Sequence, residues 1–328
     1  MKLHKYHQSR LAVGSDCTLC LVTDSSETEA NQLFDSLWKV IFQFERRFSR
    51  FIPNSELSVF NRSAGLDITI SPEFKSILQV AKQLSLKTGG LYNPFILPAL
   101  QSAGYIQSRV PANKHDPQED YSNRKVVDIH NLKIGDTTAS IPYGTALDLG
   151  GCGKGYLADL LANVDLPKSI KGFWYSIGGD VTGQGIDVDG RPWTVVIDGG
   201  QNQPTDQVGY IHPTKRRFAA ATSATTIRRG THKGKHWHHI IDPRNLQPAD
   251  SDCYMATVFG KSAVEADVLS SCAIILGSNQ SQSFLENLGI KDGLLKCYSP
   301  KIGNFIIHFG SAINIDDTKS LNYNHANA

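Results

Sequence analysis

The chain has 328 residues, 40% hydrophobic and 20% charged, enough apolar material for a sizeable core. Its 33 basic and 31 acidic residues leave a net charge of +2 with the signs interleaved, which excludes a polybasic stripe for nucleic acid and an acidic tail. No apolar run reaches the ~20 residues of a membrane helix, Met1–Arg10 lacks a secretion signal's apolar stretch, and six scattered cysteines do not make a disulfide scaffold, so a cytoplasmic globular enzyme or binding protein without a membrane anchor is expected.

Cys17-Thr18-Leu19-Cys20 has the spacing of redox and zinc motifs, but it sits in a run to Val22 that reads as a β-strand. Alternation sends Cys17 and Leu19 to one face and Cys20 to the other. A redox pair wants a helix N-terminus that lowers a thiol pKa, and no second CxxC completes a four-ligand zinc site. Both cysteines are read as small apolar strand residues.

Asp24-Ser25-Ser26 then opens a helix in which Leu33, Phe34, Leu37, Val40, Ile41 and Phe44 recur with helical period through Arg46. Ser71-Pro72 opens a second, with Ser as N-cap and Pro at the first helical position. Phe74, Ile77, Leu78, Ala81 and Leu84 line its buried side, and Thr88-Gly89-Gly90 stops it. From about Tyr105 to Asn123 the chain is polar and irregular, a long surface loop. Strands are expected at Val126–Ile129, Phe173–Ile177 and Trp193–Ile197, and a third helix from Ser262 to Leu276, closed by Gly277. Regular βα alternation is missing, which disfavours a doubly wound sheet. The tail after about Asp316 is expected to fray.

Four segments carry possible chemistry. Asp148-Leu149-Gly150-Gly151-Cys152-Gly153-Lys154-Gly155 combines close backbone approach with a positive charge, and it feeds a helical run from Tyr156 to Asn163. It is neither a Walker loop nor GxGxxG after a strand, and a structural turn and a phosphate cradle both fit. Ser176-Ile177-Gly178-Gly179-Asp180 reads as a tight turn after a strand. Thr231 to Pro243 is rich in histidine, but Lys233 and Lys235 interleave with His232, His236, His238 and His239 and would repel a cation. Adventitious metal binding fits the cluster better than a built zinc site, a general base or positioning histidine fits it too, and His239 is singled out. It directly precedes Ile240-Ile241-Asp242-Pro243, which reads as an ordered strand, whereas His232 and His236 lie among Gly and Lys in a loop. Asp267 and Ser271, four apart on the third helix, present a carboxylate and a hydroxyl on one face, which fits half of a hard-cation site suited to Mg²⁺, although the pair alone is better read as a capping or solvated Asp.

Taken in order, these segments resemble the ApbE family. The series is Phe48-Ser49-Arg50-Phe51, Ser55-Glu56-Leu57-Ser58, Asn61, Thr88 to Pro94, Asp148 to Gly155, Gly178-Gly179-Asp180, Thr222-Ser223, His239 to Pro243 and Ala266 to Ser271. The likeness runs from about residue 10 to 315, which implies one domain over 1–328. It implies an α+β, two-lobed fold with mixed, largely antiparallel sheets flanked by helices and the active site in the cleft. It further implies FAD:protein FMN transferase activity. FAD is split with Mg²⁺, FMN passes to a Thr or Ser hydroxyl of an acceptor protein through a phosphoester, and AMP leaves.

By position, Asp267, Ser271 and the carbonyl of Gly151 would hold Mg²⁺. Val13, Phe51, Leu91, Tyr92, Asn93, Asp148, Lys154 and the backbone at Ile241 would contact FAD, and His239 would be catalytic. Four departures stand out: Val13-Gly14-Ser15 for the family's Met-Gly-Thr, Asn93 for Asp, Ser271 for Thr, and Arg244-Asn245-Leu246 for Arg-Thr-Gly. An Mg²⁺-dependent FAD pyrophosphatase, with water as acceptor, would use the same residues, and the Asn93 and Arg244-Asn245-Leu246 departures lend slight support to a non-catalytic flavin-binding protein.

Overall fold

The computed structural model describes residues 2–108, 126–198, 207–213 and 217–315. The strands His4–Ala12 and Ser15–Thr23 form a hairpin around Val13-Gly14, both with positive φ (+47° and +71°). That is the type I′ pattern, whose twist matches the flanking strands. The hairpin edges an eight-stranded sheet that continues through Ile170–Ile177, Asp180–Gly185, Arg217–Ala224, Cys253–Gly260, Asp292–Ser299 and Gly303–Phe309. Every ladder in it is antiparallel. The predicted alternation holds: Cys17, Leu19 and Leu21 join the main core, whereas Cys20 and Val22 pack on the other face with Trp193 and Phe218.

Helices cover the core face. α1 (Glu27–Phe48) starts where expected, with Ser26 and Glu29 forming a capping box, and runs two residues beyond Arg46. α2 (Glu56–Arg62), which its short length hid, is capped by Ser55. α3 (Pro72–Lys87) has Ser71 as N-cap, its hydroxyl accepting from Phe74 N–H at 3.1 Å. α4 (Leu97–Ala103) follows a single 3₁₀ turn at Pro94–Ile96. α5 (Gly153–Ala162) and α6 (Ala263–Leu276) pack against each other and the sheet, and α7 (Ser278–Asn287) follows Gly277. A Cβ on Gly155 would lie 2.4 Å from the Ala263 carbonyl oxygen, so only glycine lets α5 and α6 meet this closely.

Two expected strands differ. Val126–Ile129 forms none. Asp128 caps a 3₁₀ turn at Ile129–Asn131, and the Val127 carbonyl accepts from Asn93 Nδ2 at 2.8 Å, so side chains take bonds that a ladder would use. The third run is strand only from Val195 to Asp198. Trp193 lies outside it, buried, with Nε1 donating to the Gln184 carbonyl at 3.1 Å. Most of the loop expected over Tyr105–Asn123, and the tail after Asp316, fall outside the described residues. Among the described residues no helix is long and apolar enough to cross a membrane.

Candidate active site

A cavity of about 470 Å³ opens between the first hairpin turn, the C-terminal end of α1, the amino end of α5 and one face of α6. Its wall includes every residue singled out from the sequence: Val13, Phe51, Leu91, Tyr92, Asn93, Asp148, Gly151, Lys154, His239, Ile241, Asp267 and Ser271. They come from widely separated segments of the chain, so the convergence is a property of the fold and not of any one motif.

Leu149-Gly150-Gly151-Cys152 turns the chain into α5, whose N-cap Cys152 offers no side-chain hydrogen bond to the first-turn amides. A carboxylate from α6 fills that role. Asp267 accepts from Gly155 N–H at 3.2 Å and from Lys154 Nζ at 3.1 and 3.2 Å. The amino end of α5, which reads from sequence as either a structural turn or a phosphate cradle, therefore already holds an anion of the protein's own. Lys154 Nζ also donates to Asp180 Oδ2 at 2.7 Å. Burial pulls the ammonium pKa down, but Asp180 and Asp267 outweigh it and hold Lys154 protonated above its ordinary value. Burial, and then the Asp267 charge, push the Asp180 carboxyl well above the usual range. Two buried carboxylates thus share one ammonium. Gly178 lies against this group: a Cβ there would stand 2.7 Å from Ser15 Cβ and 3.1 Å from Lys154 Cδ.

Asp148 also has a protein partner. Its Oδ2 pairs with Arg50 Nε at 2.8 Å, and its Oδ1 accepts from Gly150 N–H at 2.8 Å. Arg50 is 7% exposed and lies against the rings of Phe51 and Tyr105, 4.1 and 4.8 Å from their centroids. Its Nη2 donates to the Tyr105 carbonyl at 2.8 Å. Asn93 points into the structure as well: Oδ1 accepts from Phe95 N–H at 3.0 Å while Nδ2 holds Val127. An aspartate there would lack that donor. Gly151 leaves room for the Tyr92 ring, which a Cβ would approach to 3.3 Å. Ser271 Oγ bonds Ser223 Oγ at 2.9 Å.

The histidine-rich segment is an ordered hairpin, Arg229–His232 paired with Lys235–His238, rather than the loop expected for His232 and His236. Lys233-Gly234, both at positive φ, make the turn. His238 is structural: Nδ1 accepts from Ile240 N–H at 3.3 Å and Nε2 meets the Ala249 carbonyl at 3.0 Å. His239 differs, because its shielded Nδ1 has no hydrogen-bond partner among the described residues. Burial, with Arg228, Lys154 and His238 adding to it, holds its pKa well below the ordinary value. The ring is thus neutral near pH 7 and able to accept a proton. Its backbone N–H donates to the Arg228 carbonyl at 3.0 Å, and the buried side chains of Ile240 and Ile241 anchor the backbone on its other side. Asp242 and Arg244 then form a bidentate pair, and Leu246, standing at the family's Gly, takes φ +59°.

Sequence reasoning does not assign Asp180, Arg50, Ser223 or Arg228. Asp180 and Ser223 lie in motifs that read only as a turn and as part of the family series. Arg50 sits inside the Phe48–Phe51 motif, and nothing in the sequence marks Arg228.

The pattern of the ApbE family matches residues 13–294. The FAD:protein FMN transferase of Salmonella typhimurium is 24% identical over 276 residues, covering 79% of this chain and 77% of the relative. That of Treponema pallidum is 24% identical over 312 residues, 89% and 84% of the two chains. Among solved structures, the apo flavinyl transferase ApbE of Pseudomonas stutzeri superposes with a TM-score of 0.77 at 21% identity, covering 94% of this chain and 96% of the other. The flavin transferase ApbE of Vibrio cholerae gives 0.77 at 22%, covering 94% and 98%.

Proposed function

The chain belongs to the ApbE family, and on that premise we propose that it acts as a single-domain FAD:protein FMN transferase, moving FMN from FAD to a Thr or Ser hydroxyl of an acceptor protein and releasing AMP. The observation that carries this is one cavity whose wall holds both His239, a neutral histidine with a shielded and unpartnered Nδ1, and the Lys154–Asp267–Ser271 group. A hydroxyl is a poor nucleophile at its own pKa, so a base beside it is useful. In the proposed step the acceptor oxygen bonds to the FMN-side phosphorus. The bond from that phosphorus to the bridging oxygen breaks, and the bridging oxygen leaves with its electron pair as part of AMP. The hydroxyl proton passes to His239.

The donor set suits a hard cation. Asp180 and Asp267 converge on one Lys154, and carboxylate, hydroxyl and carbonyl oxygens are the ligands that Mg²⁺ prefers. Asp267, Ser271 and the Gly151 carbonyl would hold it, and it would neutralise charge on the diphosphate. Val13, Phe51, Leu91 and Tyr92 line the apolar part of the cavity as flavin contacts, with Ile241 beside them. All six cysteines are buried free thiols, which suits a reducing compartment and supports an acceptor met in the cytoplasm. The test is mass spectrometry of candidate acceptors co-expressed with the protein. The expected product gains FMN less water at Thr or Ser. Whole FAD on the acceptor, or FMN and AMP released at the same rate without any acceptor, contradicts the transferase.

A further inference from the structure

Four cationic or titratable nitrogen-bearing side chains line the cavity: Arg50, Lys154, Arg228 and His239. The Arg50 charge is cancelled by Asp148, although one of its N–H groups, Nη1, has no partner among the described residues. Lys154 is shared by two carboxylates. His239 is neutral near pH 7. The amide end of α5 is taken by Asp267. An incoming diphosphate, itself an anion, therefore meets a wall whose obvious phosphate-binding groups are already committed to partners within the protein.

Arg228 is the exception. Among the described residues no carboxylate lies within ion-pair distance of it. Its Nη2 donates to two neutral oxygens, Ser15 Oγ at 2.5 Å and the Gly14 carbonyl at 3.4 Å. These contacts hold the guanidinium against the first hairpin turn and leave its charge uncompensated. Its own carbonyl accepts from His239 N–H, which ties it to the proposed base. We infer that Arg228 forms an anion subsite for the diphosphate of the dinucleotide, binding a non-bridging oxygen and supplying positive charge where Lys154 is already paired. The fork shape of the guanidinium suits phosphate oxygens, and such charge-assisted bonds strengthen as charge builds on the leaving phosphate.

The subsite deepens the flavin-transfer reading and rests on it for the identity of the dinucleotide, so the test includes a probe without flavin. Calorimetry at fixed salt compares inorganic pyrophosphate, FAD and riboflavin on the wild type, Arg228→Gln and Arg228→Lys. A charge-assisted bond of ~1.5–3 kcal/mol predicts a loss of about 10- to 100-fold for pyrophosphate and FAD in Arg228→Gln. Riboflavin, which has no phosphate, should change less than about twofold, and Arg228→Lys should fall between. If FAD and riboflavin weaken together, Arg228 only holds the hairpin turn and the inference fails. It fails too if pyrophosphate binding does not depend on Arg228. If pyrophosphate binds through Arg228 but FAD does not bind the wild type, the subsite stands and the flavin reading falls.

Discussion

Asp267 and Lys154 meet between α5 and α6, the carboxylate 3.1 Å from the ammonium while also accepting from the next backbone amide of α5. One side chain thus caps a helix, pairs a buried lysine and faces the cavity. Its removal has two separable consequences. Asp267→Asn keeps an oxygen for Gly155 N–H and leaves Lys154 paired with Asp180, so the fold should survive with a modest drop in Tm. FAD cleavage in Mg²⁺ should fall at least about 100-fold, because the one charged metal ligand proposed here is gone. Cleavage undiminished in a folded Asp267→Asn protein would remove the metal assignment.

The pH dependence derives from His239. Burial first, and then the positive charge of Arg228 and Lys154, hold its folded pKa well below the ordinary value. A base that must be neutral is then available below the usual histidine range of about 6.5, so kcat/KM should stay flat on acidification to about pH 6 and fall only further down. Stability carries the same sign. The unfolded ring binds a proton more readily than the folded one, so this contribution is present above about pH 6.5 and is lost as the pH falls from there. A rate that halves near pH 6.5, with the same midpoint kept in the residual activity of His239→Gln, would point to another titrating group.

Substitution separates His239 from the hairpin. General-base assistance contributes ~10²–10⁴-fold, so His239→Ala should lower transfer by about that factor and leave FAD affinity within a few-fold. Joint replacement of His232 and His236, which belong to the hairpin beside the cavity, should have a much smaller effect. Should the double variant lose transfer while His239→Ala retains it, the catalytic role passes to the hairpin.

Much of this site is legible in the sequence because local rules carry it. Ser26, Ser71 and Ser262 cap the helices they announce, and the spacing of Asp267 and Ser271 puts both on one helical face at the cavity. What sequence leaves open is which charges are already spent. Asp148 and Lys154 look like free ligands in a glycine-rich loop, yet Arg50 lies 98 residues before Asp148 and Asp267 lies 113 after Lys154. Long-range ion pairs leave no periodicity to read. The hairpin at His232 and His236 is hidden for a different reason: Lys233 adopts φ +49°, which its residue type does not advertise.

Asn93 tests a departure from the family that looks like a lost flavin contact but has a structural use. Its Nδ2 donates to the Val127 carbonyl and its Oδ1 caps the Pro94–Ile96 turn. Asn93→Asp preserves the cap and sets a carboxylate against a carbonyl in a buried position, costing ~1–3 kcal/mol in denaturant unfolding near pH 7. The penalty should shrink as the pH falls, since the introduced carboxyl regains a donor once protonated. An unchanged or raised denaturation midpoint near pH 7 would show that the Val127 bond contributes nothing.

Val13 is a β-branched residue at φ +47°, the first turn position of the hairpin that lines the cavity, and Asn is favoured where Val is strained. Its N–H is held by the Glu45 carboxylate, a bond that Asn would retain. Val13→Asn should therefore raise stability by about 1 kcal/mol. The same change removes apolar surface from the cavity wall, at ~0.8 kcal/mol per methylene equivalent, so riboflavin and FAD should both bind about 5- to 10-fold more weakly. Lys233→Asn supplies the comparison: the same turn geometry at an exposed hairpin tip, giving a similar gain without touching the cavity. Denaturant melts of both variants, with flavin titrations alongside, separate the two effects. If Val13→Asn gains no stability while Lys233→Asn does, the Val13 turn is not strained. If it gains stability with flavin affinity intact, Val13 is no flavin contact.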